Sequence, residues 1–354
     1  MKVLITGGVG FIGQHLATTL SAAGHELMAL DLLSEQVHMD PKAARERFPG
    51  EVVVGDVCDP DTWARCGRTD VIVHLAAETG TGQSMYQQDR YRQVNVGGTR
   101  LAAREAVRRN VPLIAVSSRA VYGEGARAEP DGARTYDGVA RDGSSPVSSH
   151  EDDPHRPVSV YGETKSEGED AIAAEVAGAV PVTILRPQNV IGAGQALHNP
   201  YTGVLAAFLA CLKEGRDISV YGDGSATRDF VHVTDLTALI AWAITHPSEA
   251  GEGARVLNSG SGVRTSLRQL ADYSVAATLG SKVDIVHVDV HRAGDIQDAC
   301  ADLTRGRSLG APEPRWSTPD AVADFVRSSW GQQGADSSSW DVALDELRDR
   351  GLTS

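Results

Sequence analysis

The pair of side chains best suited to chemistry is Tyr161 and Lys165, in the stretch Tyr161-Gly-Glu-Thr-Lys165. On a helix they lie one turn apart and share a face. A tyrosine near its reference pKa of roughly 10 is a poor base at neutral pH, but a neighbouring ammonium favours the phenolate. Together the two can take a proton from a hydroxyl and return it. Ser117-Ser118-Arg119-Ala120-Val121-Tyr122-Gly123 closes a β-type run upstream, and its hydroxyls can reach the same place at the carboxyl edge of a sheet.

A second constellation stands at the N-terminus. Gly7-Gly8-Val9-Gly10-Phe11-Ile12-Gly13 follows one short apolar run and opens a helical one. Small residues there let backbone approach a pyrophosphate, and a helix N-terminus offers free amides. Gly7, Gly10, Phe11, Ile12 and Gly13 are the expected contacts. Asp31 ends the next β-type run, where a carboxylate accepts both ribose hydroxyls and repels a 2′-phosphate. The cofactor expected is therefore NAD rather than NADP. Its nicotinamide cation would add to the pull of Lys165 on the Tyr161 proton. Asp56 and Val57 follow the third run, with Asp56 in reach of an adenine amino group. Leu75, Ala76 and Ala77 end the fourth, small enough for the cofactor to lie close.

These positions demand elements that carry them. Strands are expected at 2–6, 26–31, 51–54, 71–75, 113–117 and 182–186, and helices at 11–23, 91–109 and 160–177. Strands alternating with helices specify a Rossmann-type doubly wound parallel α/β sheet, with a smaller α/β substrate domain interleaved. The expected division is 1–186 with 229–260 returning to it, 187–228 with 261–331, and a tail 332–354 ending in a helix begun by Trp340. Between Gly123 and Pro157 periodicity disappears. Glu124–Asp153 reads as a mobile excursion with no core of its own, anchored at the mouth of the site.

Composition narrows the function classes. The formal charge is −14 and apolar residues make up 41%, which argues against nucleic acid or an anionic membrane as partner. No apolar run has the length of a signal segment or membrane span. The four cysteines, Cys58, Cys66, Cys211 and Cys300, are scattered. Neither a metal site nor a disulfide frame is expected, and a cytoplasmic location is.

Over nearly its whole length the chain resembles the extended short-chain dehydrogenase/reductase family, which includes the UDP-galactose 4-epimerases. The resemblance rests on Thr6–Gly13, His74–Ala77, Asn95-Val-Gly-Gly-Thr99, Ser117–Gly123, Tyr161–Lys165, Arg186-Pro-Gln-Asn189, Asp223–His232 and Arg292-Ala-Gly-Asp295. Glu78–Tyr86, Gln195–Val204 and the Trp340 tail resemble more narrowly the dTDP-L-rhamnose 4-epimerase branch. Cysteine pairs found in many members of that branch are missing from Glu124–Asp153, which leaves the sugar open. The resemblance implies Ser118 as catalytic hydroxyl, Tyr161 as acid/base, and Lys165 as phenolate stabiliser and ribose ligand. It also implies Asn95, Ser117 and Pro187 at the cofactor, and a homodimer with a four-helix contact. Ala102, Ala103, Ala106 and Val107 would suit that contact, unless the sheet buries them.

For the substrate, a nucleotide diphosphate sugar carried by dTDP, UDP or GDP, Arg228 and Arg292 are the phosphate clamp. The resemblance implies Asn189 near the diphosphate or sugar and Asp295 at the nucleoside ribose. Tyr221 is expected near the base; Glu78, Thr79, Thr81 and Asn199 near the sugar. His232 is expected to support its loop. The reaction expected is inversion of a hydroxyl-bearing carbon, C4 first, through a 4-keto sugar. A dehydratase needs an Asp-Glu pair after the catalytic hydroxyl, where this chain has Arg119 and Ala120. A decarboxylase or reductase of the same family is the nearer alternative, and a non-catalytic NAD-binding regulator the remote one.

Overall fold

The computed structural model describes residues 1–198, 203–278, 282–289 and 295–332. Asn199, Arg292 and the Trp340 tail lie outside the described residues. The chain begins β1 (Lys2–Thr6), α1 (Phe11–Ala22), β2 (Glu26–Asp31), β3 (Glu51–Val54) and β4 (Val71–His74). A helical stretch 88–109 follows and ends in α2 (Thr99–Arg109), then come β5 (Leu113–Val116), α3 (Val160–Val176) and β6 (Val182–Pro187). Later, α4 (Val233–Thr245) and β7 (Arg255–Ser259) return to the same layer structure. The seven strands pair in the order β7-β6-β5-β4-β1-β2-β3, every pair parallel.

Strand alternation explains the two covered faces. Val3, Ile5, Val71 and Val73 face one side and meet Leu16 and Leu20 of α1 with Leu236 and Ile240 of α4. Leu4, Ile72, Leu113 and Ile184 face the other and meet Ala102, Ala103 and Ala106 of α2 with Ile172 of α3. Those three alanines are fully buried, so the small-residue face of α2 serves the sheet and is not free for a subunit contact. A third cluster, including Leu209, Ile218, Leu270 and Phe325, joins the helices Val204–Glu214, Leu267–Ala276 and Thr318–Ser329. Beside them Ile218–Tyr221 pairs in parallel with Ile285–Val288.

Two expectations are corrected. Helix 91–109 is not uniform: Arg92–Gly98 forms a π turn, where one extra residue per turn re-aims side chains. The segment 124–153 is not irregular, since Ala126–Ala128 pairs antiparallel with Arg134–Thr135 and with Ser145–Val147. An Arg134–Asp153 ion pair at 2.6 Å ties that small sheet down. Gln297 N donates to Glu124 Oε2 at 2.8 Å, docking it on the later part of the chain. Polar segments can build such a sheet from backbone pairing and charge pairs without apolar periodicity.

Candidate active site

All seven parallel strands point their carboxyl ends toward one edge, and a cavity of about 600 Å³ opens there. Its first wall is the glycine turn. Gly7 sits at φ +65°, and a Cβ on it would stand 2.9 Å from Ala76 N. A Cβ on Gly13 would meet Gly8 O at 2.4 Å. Only glycine permits that closeness. No side chain caps α1, whose first turn (Phe11, Ile12, Gly13) lines the cavity. Free amides, the positive end of a helix and a cradle without Cβ atoms fit a pyrophosphate.

Asp31 is buried at the cavity wall, with Oδ2 accepting from Val9 N at 3.0 Å and Oδ1 from Leu33 N at 2.9 Å. These bonds lock its carboxylate beside the turn. Asp56, Val57, Leu75, Ala76, Ala77 and Pro187 line the same cavity. Behind them, His74 joins Thr6 Oγ1 (2.8 Å) and Thr99 Oγ1 (3.0 Å), and the Thr6 hydroxyl accepts from Ala76 N at 3.2 Å. Burial, reinforced by Lys165, pushes His74 down to about 3, so it is a neutral strut.

The reactive end is assembled from β5 and α3. Ser159 caps α3 through Gly162 N, which starts the helix so that Tyr161 falls in its first turn. Tyr161, Lys165, Ser117 and Ser118 all line the cavity. Burial raises Tyr161 above the ordinary tyrosine value, and a hydrogen bond with the Ser118 hydroxyl opposes that rise. Burial lowers Lys165 to about 8, against the pull of Glu169, and its Nζ donates to Val116 O at 3.1 Å. The ammonium is thus poorly solvated and ready to stabilise a neighbouring anion.

Ser117 differs from its neighbour. Its hydroxyl donates to Glu169, which is held by Arg186 at 2.6 Å. Arg186 also donates to Tyr122 OH at 2.9 Å and meets His155 Nε2 at 2.6 Å. Burial works against that guanidinium's charge, but Glu169 and Tyr122 hold it above its ordinary value. This buried network fixes the end of β5 and turns Ser118 rather than Ser117 toward Tyr161.

Glu78, Thr79, Thr81 and Asn189 also line the cavity. Asn95 lies behind it: Oδ1 accepts from Glu78 N at 2.8 Å, and Nδ2 donates to Thr164 Oγ1 at 3.0 Å. The π turn places it to couple the Glu78 loop to α3. Ser84 Oγ adds a second tie, accepting from Tyr161 N at 3.1 Å. Arg90 closes on Glu78 at 2.5 Å. Ser84 falls in the Glu78–Tyr86 stretch that carries the resemblance but is assigned no role by it, and Arg90 carries no signal in the sequence, because their partners are set by loop packing. Tyr221, Arg228 and Asp295 are not among the residues lining this cavity. His232 caps α4 through Thr234 N and stacks on Trp316 at 4.0 Å, in keeping with a supporting role. Among the described residues there is no group of acidic, histidine or cysteine side chains able to hold a metal ion, and no helix is long and apolar enough to cross a membrane.

Comparison with known proteins gives a consistent result. Residues 3–260 match the model of the NAD dependent epimerase/dehydratase family. A dTDP-L-rhamnose 4-epimerase of Burkholderia thailandensis is 35% identical, covering 95% of this chain and 96% of that protein. A UDP-glucose 4-epimerase of Mycolicibacterium smegmatis is 31% identical, covering 92% and 97%. Among solved structures, MoeE5 in complex with UDP-glucuronic acid and NAD is 28% identical at a TM-score of 0.74, covering 93% and 99%. The UDP-glucose 4-epimerase of Thermotoga maritima shares the fold at a TM-score of 0.77 and 24% identity, covering 93% and 98%.

Proposed function

The chain belongs to the NAD-dependent epimerase/dehydratase family, and on that footing we propose that it inverts C4 of a nucleotide-linked sugar. It is an NAD-dependent nucleotide-sugar epimerase whose reaction passes through a transient 4-keto sugar. The observation that carries the assignment of roles is the meeting of Ser118, Tyr161 and Lys165 at the open end of a dinucleotide cradle.

NAD, when bound, supplies a hydride acceptor and donor. The rest falls to the chain. Gly7, Gly10 and the first turn of α1 hold the pyrophosphate, and Asp31 holds the adenosine ribose. Tyr161 takes the proton from the C4 hydroxyl and returns it after the sugar presents its other face. Ser118 positions that hydroxyl through its bond with Tyr161. Lys165 stabilises the phenolate. Glu78, Thr79 and Thr81, braced by Asn95, face the sugar. Dehydration would require an acid and a base after Ser118, and Arg119 with Ala120 supplies neither.

The carrier in this reading is dTDP or UDP, the two named among the relatives, with a deoxyhexose attached to dTDP as the first candidate. The test is incubation of the purified protein with dTDP-L-rhamnose, UDP-glucose, UDP-N-acetylglucosamine, UDP-glucuronic acid and a GDP-hexose, with products read by NMR. A C4 epimer at unchanged mass is expected from at least one. Loss of water or of carbon dioxide from the product would overturn epimerisation in favour of the neighbouring chemistries. A homodimer belongs to the same reading, built from the outward faces of α2 and α3. There Arg104 meets Glu175 at 2.9 Å on an exposed surface, so that contact would be polar. Light scattering at working concentration should give twice the chain mass; a monomer refutes it.

A further inference from the structure

Gln188 stands one residue past β6, between Pro187 and Asn189 in the cavity wall. It is only 4% exposed, yet its side-chain amide makes no hydrogen bond among the described residues, and Oε1 is fully enclosed without a donor. The backbone around it is pinned. Gln188 N donates to Ser259 O at 2.7 Å, and Asn189 N to Asp229 O at 3.1 Å. A Cβ on Gly260 would stand 3.0 Å from Gln188 Cγ, so the stem lies against bare backbone. Along β6, Val182 and Ile184 face α2 and α3, and Arg186 meets Glu169 of α3. Strand alternation sets Gln188 on that same side, the side from which Tyr161 enters the cavity. Val116 of β5 pairs with Leu185 of β6, so the strand ends that carry Ser118 and Gln188 lie side by side. The amide therefore belongs to the reacting end of the cavity and not to the glycine turn. A buried amide without partners costs the fold free energy, and a ligand that brings a partner recovers it.

We propose that the Gln188 amide hydrogen-bonds a hydroxyl or N–H group of the sugar other than the C4 hydroxyl, which makes it a specificity-determining residue of this chain. The proposal rests on the nucleotide-sugar reading above. In that reading the C4 hydroxyl is taken by Tyr161 and Ser118, so the amide beside them meets another group on the same ring. An amide carries both a donor and an acceptor, as a hydroxyl does, and rotation about the last side-chain bond presents either end. A site that pairs with a polar substrate group rejects an analogue lacking it far more strongly than an apolar wall rejects an extra methylene. Gln188 thus selects among sugars without touching the bonds that react.

The test compares NAD-loaded wild type, Gln188→Leu and Gln188→Met, which keep the bulk of the side chain without its amide. Each is assayed with dTDP-L-rhamnose and the other nucleotide sugars named above, and titrated calorimetrically with dTDP, UDP and NAD. For the sugar that is inverted, kcat/KM should fall roughly 10- to 100-fold, as loss of a buried hydrogen bond does. Affinity for dTDP, UDP and NAD should be kept, and the sugar-free variants should melt no lower than wild type, because the amide they lose is unpaired in the fold. Monodeoxy forms of the inverted sugar give a check in the wild type itself, independent of variant folding. One of them should lose a similar factor in the wild type and little more in Gln188→Leu. Unchanged kcat/KM in both variants overturns the role of Gln188 and leaves the epimerase reading standing. So does a loss of NAD affinity, which would put the amide at the nicotinamide, or a lower melting temperature in both variants, which marks a structural amide. Losses that add to that of Gln188→Leu for every deoxy form overturn it as well. A panel in which no sugar is inverted overturns the function proposed above, and this role with it.

Discussion

Replacing Lys165 by methionine should abolish turnover and yet stabilise the cofactor-free protein at neutral pH. Burial holds this lysine at about 8, against an ordinary 10.5. At about 1.4 kcal/mol per decade, keeping its charge at pH 7 costs the fold about 3 kcal/mol. Methionine keeps most of the apolar stem and removes the charge. It also removes the bond from Nζ to Val116 O, a loss of about 1–2 kcal/mol. The variant should therefore be more stable than wild type by about 1–2 kcal/mol at pH 7. The sign reverses with pH. Between 8 and 10.5 the unfolded lysine keeps a proton that the native one has shed, so wild-type stability rises there and the variant's does not. Burial raises Cys58, Cys66 and Cys300, which lowers stability above pH 9 in both proteins and cancels in the difference. Urea unfolding at pH 7, 8, 9 and 9.5 measures that difference. A gap that stays constant across the series, or a variant less stable at pH 7, would refute the argument.

Tyr161→Phe should keep its edge contact with Tyr91 (6.4 Å between ring centres), its fold and its NAD affinity, while turnover falls by about 100-fold or more. Circular dichroism and steady-state rates on one preparation decide it, and near-normal turnover rules Tyr161 out. Asp31→Ser should erase the preference for NAD over NADP, because the carboxylate facing the 2′ position is gone; calorimetry with both cofactors tests this, and an unchanged preference refutes it. Asn95→Ala removes the tie between the Glu78 loop and α3, so kcat should drop about 10-fold or more with NAD affinity kept, whereas a loss of NAD affinity alone would make Asn95 a cofactor residue.

Much of this site is legible along the chain because its signals are local. The glycines of the turn between β1 and α1, an aspartate at the end of β2, and Tyr161 one turn from Lys165 are each set by residues close in sequence. Period-two and period-3.6 patterns likewise specify β1 to β6 and the helices between them, since burial on a sheet face or helix stripe leaves its mark on every second or fourth residue. Other features depend on which distant segments meet, and composition carries no trace of them. The polar run 124–153 folds into a three-stranded sheet because Arg134 and Asp153, and Glu124 and the backbone of Gln297, come together. Whether Ala102, Ala103 and Ala106 face a subunit or their own sheet is decided by the roll of α2. Residue type alone does not tell Ser117 from Ser118, and only the resemblance separates them along the chain; in the fold the Glu169–Arg186 pair, brought from α3 and β6, takes the Ser117 hydroxyl and leaves that of Ser118 to the site. Tyr161 and Lys165 read from the sequence as one face of a helix, but that the lysine is buried and its charge left poorly solvated depends on how α3 packs against β5, and burial, which turns a charge into a demand for a partner, is a property of the tertiary structure alone.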